Sequence, residues 1–97
     1  MELLFIEPTD KTPLIIFDSL IGKFEIIGIS IPQNGKLFYE PALEWLDKYI
    51  RRPNKETALV INLDYFNISS SKMLLFIFYK LMEIKSPEKK SNHYLVL

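Results

Sequence analysis

The 97-residue sequence contains three consecutive serines, Ser69, Ser70 and Ser71, whose hydroxyl groups could take part in phosphoryl transfer or helix capping. They follow a strand-like segment that ends at Phe66, and they open a strongly apolar run typical of a helix. The first turn of a helix has unpaired backbone N–H groups and the positive end of the helix dipole. A serine there can cap the helix, which contributes about 1 kcal/mol, or accept a phosphoryl group. Composition alone favours a cap formed by Ser69 or Ser70.

Other residue types that support catalysis or metal binding are sparse. The chain has a single histidine, His93, in a terminal apolar segment, and it has no cysteine, which excludes disulfides and zinc–thiolate sites. Asp64 ends a strand-like segment without a partner nearby in sequence, so we interpret it as a solvated carboxylate. The three glycines form neither a dinucleotide fingerprint nor a phosphate-binding loop. The sequence therefore predicts no catalytic residues, no metal and no cofactor, in a protein that is not an enzyme.

The charge of the chain is balanced overall but uneven along its length. Residues 1–50 carry four lysines against eight acidic residues, and residues 71–97 carry five lysines against two acidic residues. This asymmetry falls short of the basic stripe that nucleic-acid binding requires. The first residues lack the features of a signal peptide, and the longest apolar run, residues 73–78, is far shorter than the ~20 residues of a membrane span. We expect a cytoplasmic protein with neither nucleic acid nor membrane as a partner.

The amino-terminal half predicts a hairpin followed by a helix. Leu14–Asp18 is a short apolar run, and Lys23–Ser30 is β-branched and partly alternating. The turn between them contains Gly22, which can adopt a positive φ. After a turn cluster at residues 32–35, apolar side chains recur at spacings of three and four over residues 38–50, as in an amphipathic helix.

The carboxy-terminal half predicts strand, helix and strand. Residues 57–66 contain a continuous apolar stretch typical of a strand covered on both faces. Residues 69–84 are apolar around most of a helical circumference, which predicts a buried helix. A polar loop at residues 86–91 precedes a last strand at residues 93–97.

This β-β-α-β-α-β order predicts one α/β domain over residues 1–97. We expect an approximately four-stranded mixed sheet with the helices packed on it and with right-handed crossovers.

The sequence as a whole resembles the SiaC-type regulatory phosphoproteins of bacteria. The resemblance extends from about Thr9 to Glu83. The segments that carry it are Thr12-Pro13, Gly28, Ser30-Ile31-Pro32-Gln33-Asn34, Phe38-Tyr39-Glu40-Pro41, Trp45-Leu46 and Leu63-Asp64-Tyr65-Phe66-Asn67-Ile68-Ser69-Ser70-Ser71-Lys72.

The resemblance implies a cytoplasmic partner-switching protein. In that family a serine/threonine kinase of the GHKL type phosphorylates a threonine at a strand-to-helix junction, and a PP2C-type phosphatase removes the phosphate. The unphosphorylated form binds and activates a diguanylate cyclase. The implied fold is similar to that of anti-sigma-factor antagonist (STAS-like) domains.

Three departures from the family pattern affect regulation more than the fold. Ile68 stands at the position of the phosphoacceptor threonine and cannot be phosphorylated. The family's Ser-Tyr-Pro-Glu-Asn is Ser-Ile-Pro-Gln-Asn at residues 30–34, and the chain ends at Leu97, before a further family element. We expect a protein locked in the unphosphorylated-like state, or one in which Ser69 or Ser70 replaces the missing acceptor.

Two readings of the function remain open. The first is a signalling regulator that binds a protein partner through the junction and the adjoining loop. Its candidate partner-binding residues are Tyr65, Asn67, Ser69, Ser70, Lys72, Ser30, Pro32, Gln33 and Asn34. The alternative is a degenerate structural or oligomer-forming relative without phospho-regulation. In either case the last strand is expected to leave an edge or an apolar face that another protein, or a second copy in a homodimer, could cover.

Overall fold

A computed structural model describes residues 3–84 and the backbone of residues 90–96. Seven elements follow one another along the chain. They are β1 (Leu4–Ile6), β2 (Leu14–Asp18), β3 (Lys23–Ser30), α1 (Gly35–Tyr49), β4 (Glu56–Phe66), α2 (Ile68–Met82) and β5 (Lys90–Val96). All six predicted elements are present, and β1 is an addition. Because β1 has only three residues, it shows no periodicity that a sequence pattern could reveal.

The strands form one mixed sheet in the order β1-β2-β3-β4-β5. The β1–β2 and β2–β3 pairs are antiparallel, while β3–β4 and β4–β5 are parallel and are connected through α1 and α2. The hairpin between β2 and β3 turns at Gly22, whose φ is +66°. The predicted single α/β domain with a mixed sheet is therefore confirmed, with β1 as an additional edge strand. Within the described residues, no helix has the length and apolar character needed to cross a membrane.

Both helices pack against the same face of the sheet. Leu59, Ile61 and Leu63 on β4 are buried in one core together with the inward residues of both helices, whereas Val60 is partly exposed and Asn62 is exposed. The prediction that this strand is covered on both faces is therefore wrong. Its continuous apolar stretch reflects a β-branched residue on the open face, not a second layer of helices.

Aromatic packing attaches α1 to β2 and β3. The Phe24 ring lies 4.8 Å from the Tyr49 ring and 5.4 Å from the Trp45 ring, both in edge-on arrangements. Phe17 on the neighbouring strand completes the cluster, with its ring 5.0 Å from that of Phe24. Such pairs contribute about 0.5–1.5 kcal/mol each beyond the area they bury. The cluster therefore fixes α1 firmly on the hairpin.

A β-bulge interrupts the pairing of β3 with β4 close to the carboxy ends of both strands. Gly28 pairs with Leu63 and Ile29 pairs with Tyr65, so Asp64 has no partner across the ladder. The alternation of side chains breaks at this point, because Leu63 is buried but Tyr65, two residues later, is exposed. The bulge thereby turns Tyr65 to the open face of the sheet, while Phe66, paired with the buried Ser30, lies on the helix face where the strand leads into α2.

Candidate protein-interaction site

Asn67 begins helix α2 and holds the strand-to-helix junction together. Its side-chain Oδ1 accepts a hydrogen bond from the backbone N–H of Ser70 at 3.0 Å, and its Nδ2 donates to the carbonyl of Pro32 at 3.0 Å. Its own backbone N–H donates to the carbonyl of Ser30 at 3.0 Å. The prediction that Ser69 or Ser70 caps the helix is therefore wrong. Asparagine caps equally well, and Asn67 is the residue that has the required extended conformation.

Ser70 belongs to a buried hydroxyl network. Its Oγ lies 2.7 Å from Ser30 Oγ and donates to the Ser30 carbonyl at 2.9 Å, while Ser30 Oγ lies 2.6 Å from the Tyr39 hydroxyl. All three side chains are fully buried. Burial raises the pKa of Tyr39 to about 12, because the phenolate would lose its hydration. The network thus joins the end of β3, helix α1 and the first turn of α2 through neutral hydroxyl groups.

The other two serines are partly exposed. Ser69 Oγ donates to Asn67 Oδ1 at 3.2 Å, and Ser71 Oγ donates to the carbonyl of Ile68 at 2.7 Å. Ser69 also contacts the start of α1 closely, because a Cβ on Gly35 would lie 2.8 Å from its Oγ and 2.9 Å from its carbonyl oxygen. The amino-terminal ends of the two helices therefore lie side by side.

Ile68 is the first residue of α2 and projects into solvent with 79% of its surface exposed. Its aliphatic side chain has no packing role that would explain this position. Tyr65, which the bulge turns to the open face of the sheet, and Phe66, which lies on the helix face, are both exposed shortly before it. The junction therefore presents apolar and aromatic side chains to solvent.

Further exposed apolar side chains lie along α2 on the same side as Ile68, beyond the exposed Lys72. Four further large side chains of the helix, at spacings of one, three and three residues, are between 47% and 62% exposed. We call this stripe the α2 face, and its members are Ile68, Leu75, Phe76, Tyr79 and Met82. The prediction that α2 is a buried helix is therefore wrong. The sequence shows more apolar residues in this helix than one buried side requires. Their exposure was missed because an apolar circumference was interpreted as complete burial.

A shallow apolar groove of about 160 Å³ borders the α2 face on the side of β4. Its lining residues are Ile61, Leu63, Phe66, Ser71, Leu74, Leu75 and Phe78. Since Leu75 belongs to both, the groove adjoins the part of the α2 face that begins at Leu75. Exposed apolar surface of this kind is typical of a site of interaction with another molecule.

A second, more polar recess lies between the amino-terminal ends of the helices. Gln33, Asn34, Ser69 and Lys72, four of the predicted partner-binding residues, line it together with Lys36. Asn34 also caps α1, because its Oδ1 accepts the backbone N–H of Leu37 at 3.0 Å.

The remaining predicted residues are divided between surface and interior. Tyr65 is exposed, and Asn67 is partly exposed at the junction, whereas Pro32 is buried beside it. Ser30 and Ser70 are fully buried in the hydroxyl network and do not present their side chains to a partner in this conformation. Ser30 and Ser70 instead hold the junction in position through their hydrogen bonds.

Metal-ligating side chains do not cluster in the described part of the chain, where no group of three or more carboxylate or imidazole side chains comes together. The side chain of His93 lies outside the described residues. Asp64, unpaired at the bulge, is exposed as a solvated carboxylate.

Solved structures of SiaC from Pseudomonas aeruginosa share this fold closely. The apo form superposes with a TM-score of 0.89 at 25% sequence identity, covering 98% of this chain and 78% of that one. SiaC in its complex with the diguanylate cyclase SiaD, of which it is the activator, superposes with a TM-score of 0.83 at 26% identity, covering 93% of this chain and 74% of that one. The predicted likeness to anti-sigma-factor antagonist domains stays a prediction, since these structures are of SiaC.

Sequence comparison gives the same assignment. Among curated proteins, no sequence matches this one significantly. The model of the SiaC family of regulatory phosphoproteins matches residues 6–92, nearly the whole chain, and it includes the Asn67 junction and all of α2. With the fold, the junction and this match in agreement, the chain belongs to the SiaC family of regulatory phosphoproteins.

Proposed function

We propose that this protein is a partner-switching regulator that binds and activates a diguanylate cyclase through the α2 face. The observation that carries the proposal is the exposed apolar stripe that begins at the strand-to-helix junction. SiaC of Pseudomonas aeruginosa, which shares the fold, is the activator of such a cyclase. The proposed role is regulatory and non-enzymatic.

The composition of the α2 face supports protein binding. Phe76 and Tyr79 are large aromatic side chains that lose little conformational entropy on binding, and such residues dominate the energetics of interfaces. Lys72, which lies between Ile68 and Leu75 along α2, and Lys36 line the recess beside the helix termini, where they would favour an acidic group of the partner. The partner surface we expect is therefore apolar, with a carboxylate at the end that meets the junction.

The position of Ile68 supports a protein that can bind its partner at all times, without control by phosphorylation. A phosphoryl group there would add about 1.5 to 2 negative charges to the start of the apolar stripe and would impose a desolvation cost on any apolar partner. Isoleucine keeps the β-branched shape of threonine but replaces the hydroxyl by an apolar group. We therefore propose that the α2 face of this chain is always in the unphosphorylated-like state.

Phe76→Ser is expected to weaken binding of the cyclase from the same organism by roughly 10- to 100-fold, because it removes an aromatic anchor from the α2 face. Isothermal titration calorimetry measures the change. Leu20→Ser is the matched control: Leu20 is 84% exposed on the hairpin turn, away from α2, and its replacement should leave the affinity unchanged. Equal affinities of the Phe76→Ser variant and the wild type would refute the proposed interface.

A homodimer is the second candidate, favoured by the same exposed stripe. Light scattering of the wild type, run beside the titration, distinguishes the two: a dimer that Phe76→Ser converts to monomer, with no cyclase binding, would favour the oligomer-forming alternative. A monomer that binds the cyclase would favour the regulator.

The kinase of the GHKL type that we propose as the upstream partner is expected to leave the wild type unmodified. Ser70 is buried and its hydroxyl is engaged, and Ser69 donates to the capping Asn67, so neither is presented as Ile68 is. Ile68→Thr should accept one phosphate, which a PP2C-type phosphatase should remove. Mass spectrometry of the digested protein locates the modification. Phosphate on wild-type Ser69, absent from Ser69→Ala, would contradict the locked state and show that control has moved by one residue.

A further inference from the structure

We propose that the tip of the β2–β3 hairpin, together with the basic residues around it, docks this protein on the surface of an anionic membrane. This surface lies at the opposite end of β3 and β4 from the strand-to-helix junction. The proposal is independent of cyclase binding, because it involves none of the residues of the α2 face.

Two aliphatic side chains at the hairpin tip project into solvent. Leu20 is 84% exposed and Ile21 is 66% exposed. Adjacent aliphatic side chains at the tip of a tight turn are well placed to enter the boundary between lipid headgroups and acyl chains. Their exposure to water costs free energy, and covering them with another apolar phase removes that cost.

The tip is held rigidly on the body of the protein. Asp18 Oδ1 accepts the backbone N–H of Leu20 at 2.9 Å, which fixes the turn. Asn54 donates from its side chain to the carbonyl of Ser19, and the carbonyl of Gly22 accepts the N–H of Ala58 at 2.8 Å. The exposed pair is therefore presented in one orientation, and insertion would cost little additional ordering.

Four cations surround the tip. Lys48, Arg51 and Arg52, at the end of α1, line a recess together with Leu20, and Lys55 lies beside Leu20 and Ile21 on the other side. All four cations are exposed, and none forms an ion pair with another described residue. Four acidic side chains lie near these cations: Asp18, which is engaged in the turn, the exposed Glu56, and Glu44 and Asp47, one helical turn before Lys48 and Arg51. Asp47 is paired with Lys80. The patch thus keeps an excess of positive charge.

The combination of features favours a lipid surface over a nucleic acid. Protein surfaces that bind nucleic acids present aromatic or hydrogen-bonding side chains that stack on or pair with bases, whereas this tip presents two aliphatic side chains. Each basic residue near an anionic bilayer strengthens binding by several-fold, and apolar insertion adds to it. The proposal departs from the expectation that no membrane is a partner, because the turn and the basic cluster are far apart in the chain and meet only in the fold.

Flotation of the full chain with vesicles tests the proposal. The protein should bind vesicles of phosphatidylcholine mixed with phosphatidylglycerol and should not bind vesicles of phosphatidylcholine alone. Replacing both Arg51→Gln and Arg52→Gln should weaken the partition coefficient on the order of tenfold or more. Replacing both Leu20→Ser and Ile21→Ser should weaken it by roughly tenfold without changing the charge.

A matched control carries Lys36→Gln and Lys72→Gln, which removes the same charge at the opposite end of the molecule and should leave vesicle binding unchanged. All variants should keep the thermal midpoint of the wild type, because every changed residue is exposed. Binding that falls equally in the control would mean nonspecific adsorption and would overturn the proposal. So would insensitivity to the loss of both aliphatic chains, binding to neutral vesicles alone, or tighter binding to duplex DNA that Arg51→Gln with Arg52→Gln abolishes.

Discussion

Tyr39→Ala is expected to lower the free energy of unfolding by about 3–5 kcal/mol, a large part of the total stability of a domain of this size. The side chain is fully buried, packs edge-on against Phe38 at 4.8 Å between ring centroids, and completes the hydroxyl network with Ser30. Its removal leaves a cavity between α1 and the end of β3, and Ser30 loses a hydrogen bond. Urea unfolding followed by circular dichroism measures the change.

Tyr39→Phe separates the packing from the network, because it keeps the ring and removes only the hydroxyl. We expect a loss of about 1–2 kcal/mol. The pH dependence gives an independent check. The pKa of Tyr39 is raised to about 12 by burial, so the unfolded chain loses this proton first as the pH rises. The stabilising contribution is complete below the unfolded-state pKa of about 10 and declines as the pH approaches 12. An alkaline decline of equal size in Tyr39→Phe would exclude Tyr39 as its source.

Gly22→Ala is expected to destabilise the protein by about 2–4 kcal/mol, because two effects act at the same residue. The φ of +66° disfavours any residue with a Cβ, and a Cβ at this position would collide with the backbone carbonyl oxygen of Glu56 at the start of β4. Since the Gly22 carbonyl also accepts the N–H of Ala58, the hairpin and β4 cannot separate without losing that bond. The midpoint of urea unfolding is the quantity to compare.

Gly22→Asn distinguishes the two effects. Asparagine tolerates the left-handed conformation better than alanine does, yet it carries the same Cβ. A stability equal to that of Gly22→Ala identifies the collision with Glu56 as dominant, whereas substantial recovery identifies the backbone conformation. Wild-type stability in both variants would contradict the close approach itself.

Local signals in the sequence were sufficient for most elements. Leu14–Asp18 and Lys23–Ser30 were predicted with the bounds that the structure has, because apolar runs and a glycine turn are signals that act over a few residues. The extent of α2 was predicted to within two residues for the same reason. The mixed sheet followed from the order of the elements and the preference for short connections.

Features that depend on distant contacts were beyond the reach of sequence patterns. Asn67, Ser69 and Ser70 are all residue types that cap helices, and they lie within four positions of one another. Which of them caps α2 is decided by where β4 ends. That point is set by the hydrogen bond from Asn67 to Ser30 on another strand. The exposure of the α2 face was missed for a related reason: an apolar helix is buried only where the sheet has surface to cover it. Both misjudged features lie at the proposed site.

The bulge at Asp64 makes the orientation of the junction depend on chain length. Because one unpaired residue reverses the side-chain alternation, Tyr65 faces outward, although regular pairing after Leu63 would turn it inward. Removing a single residue there would turn Tyr65 inward and Phe66 outward without substituting either of them. Relatives that differ by one insertion or deletion at this position would thus offer different surfaces to their partners, so specificity can diverge by length as readily as by substitution.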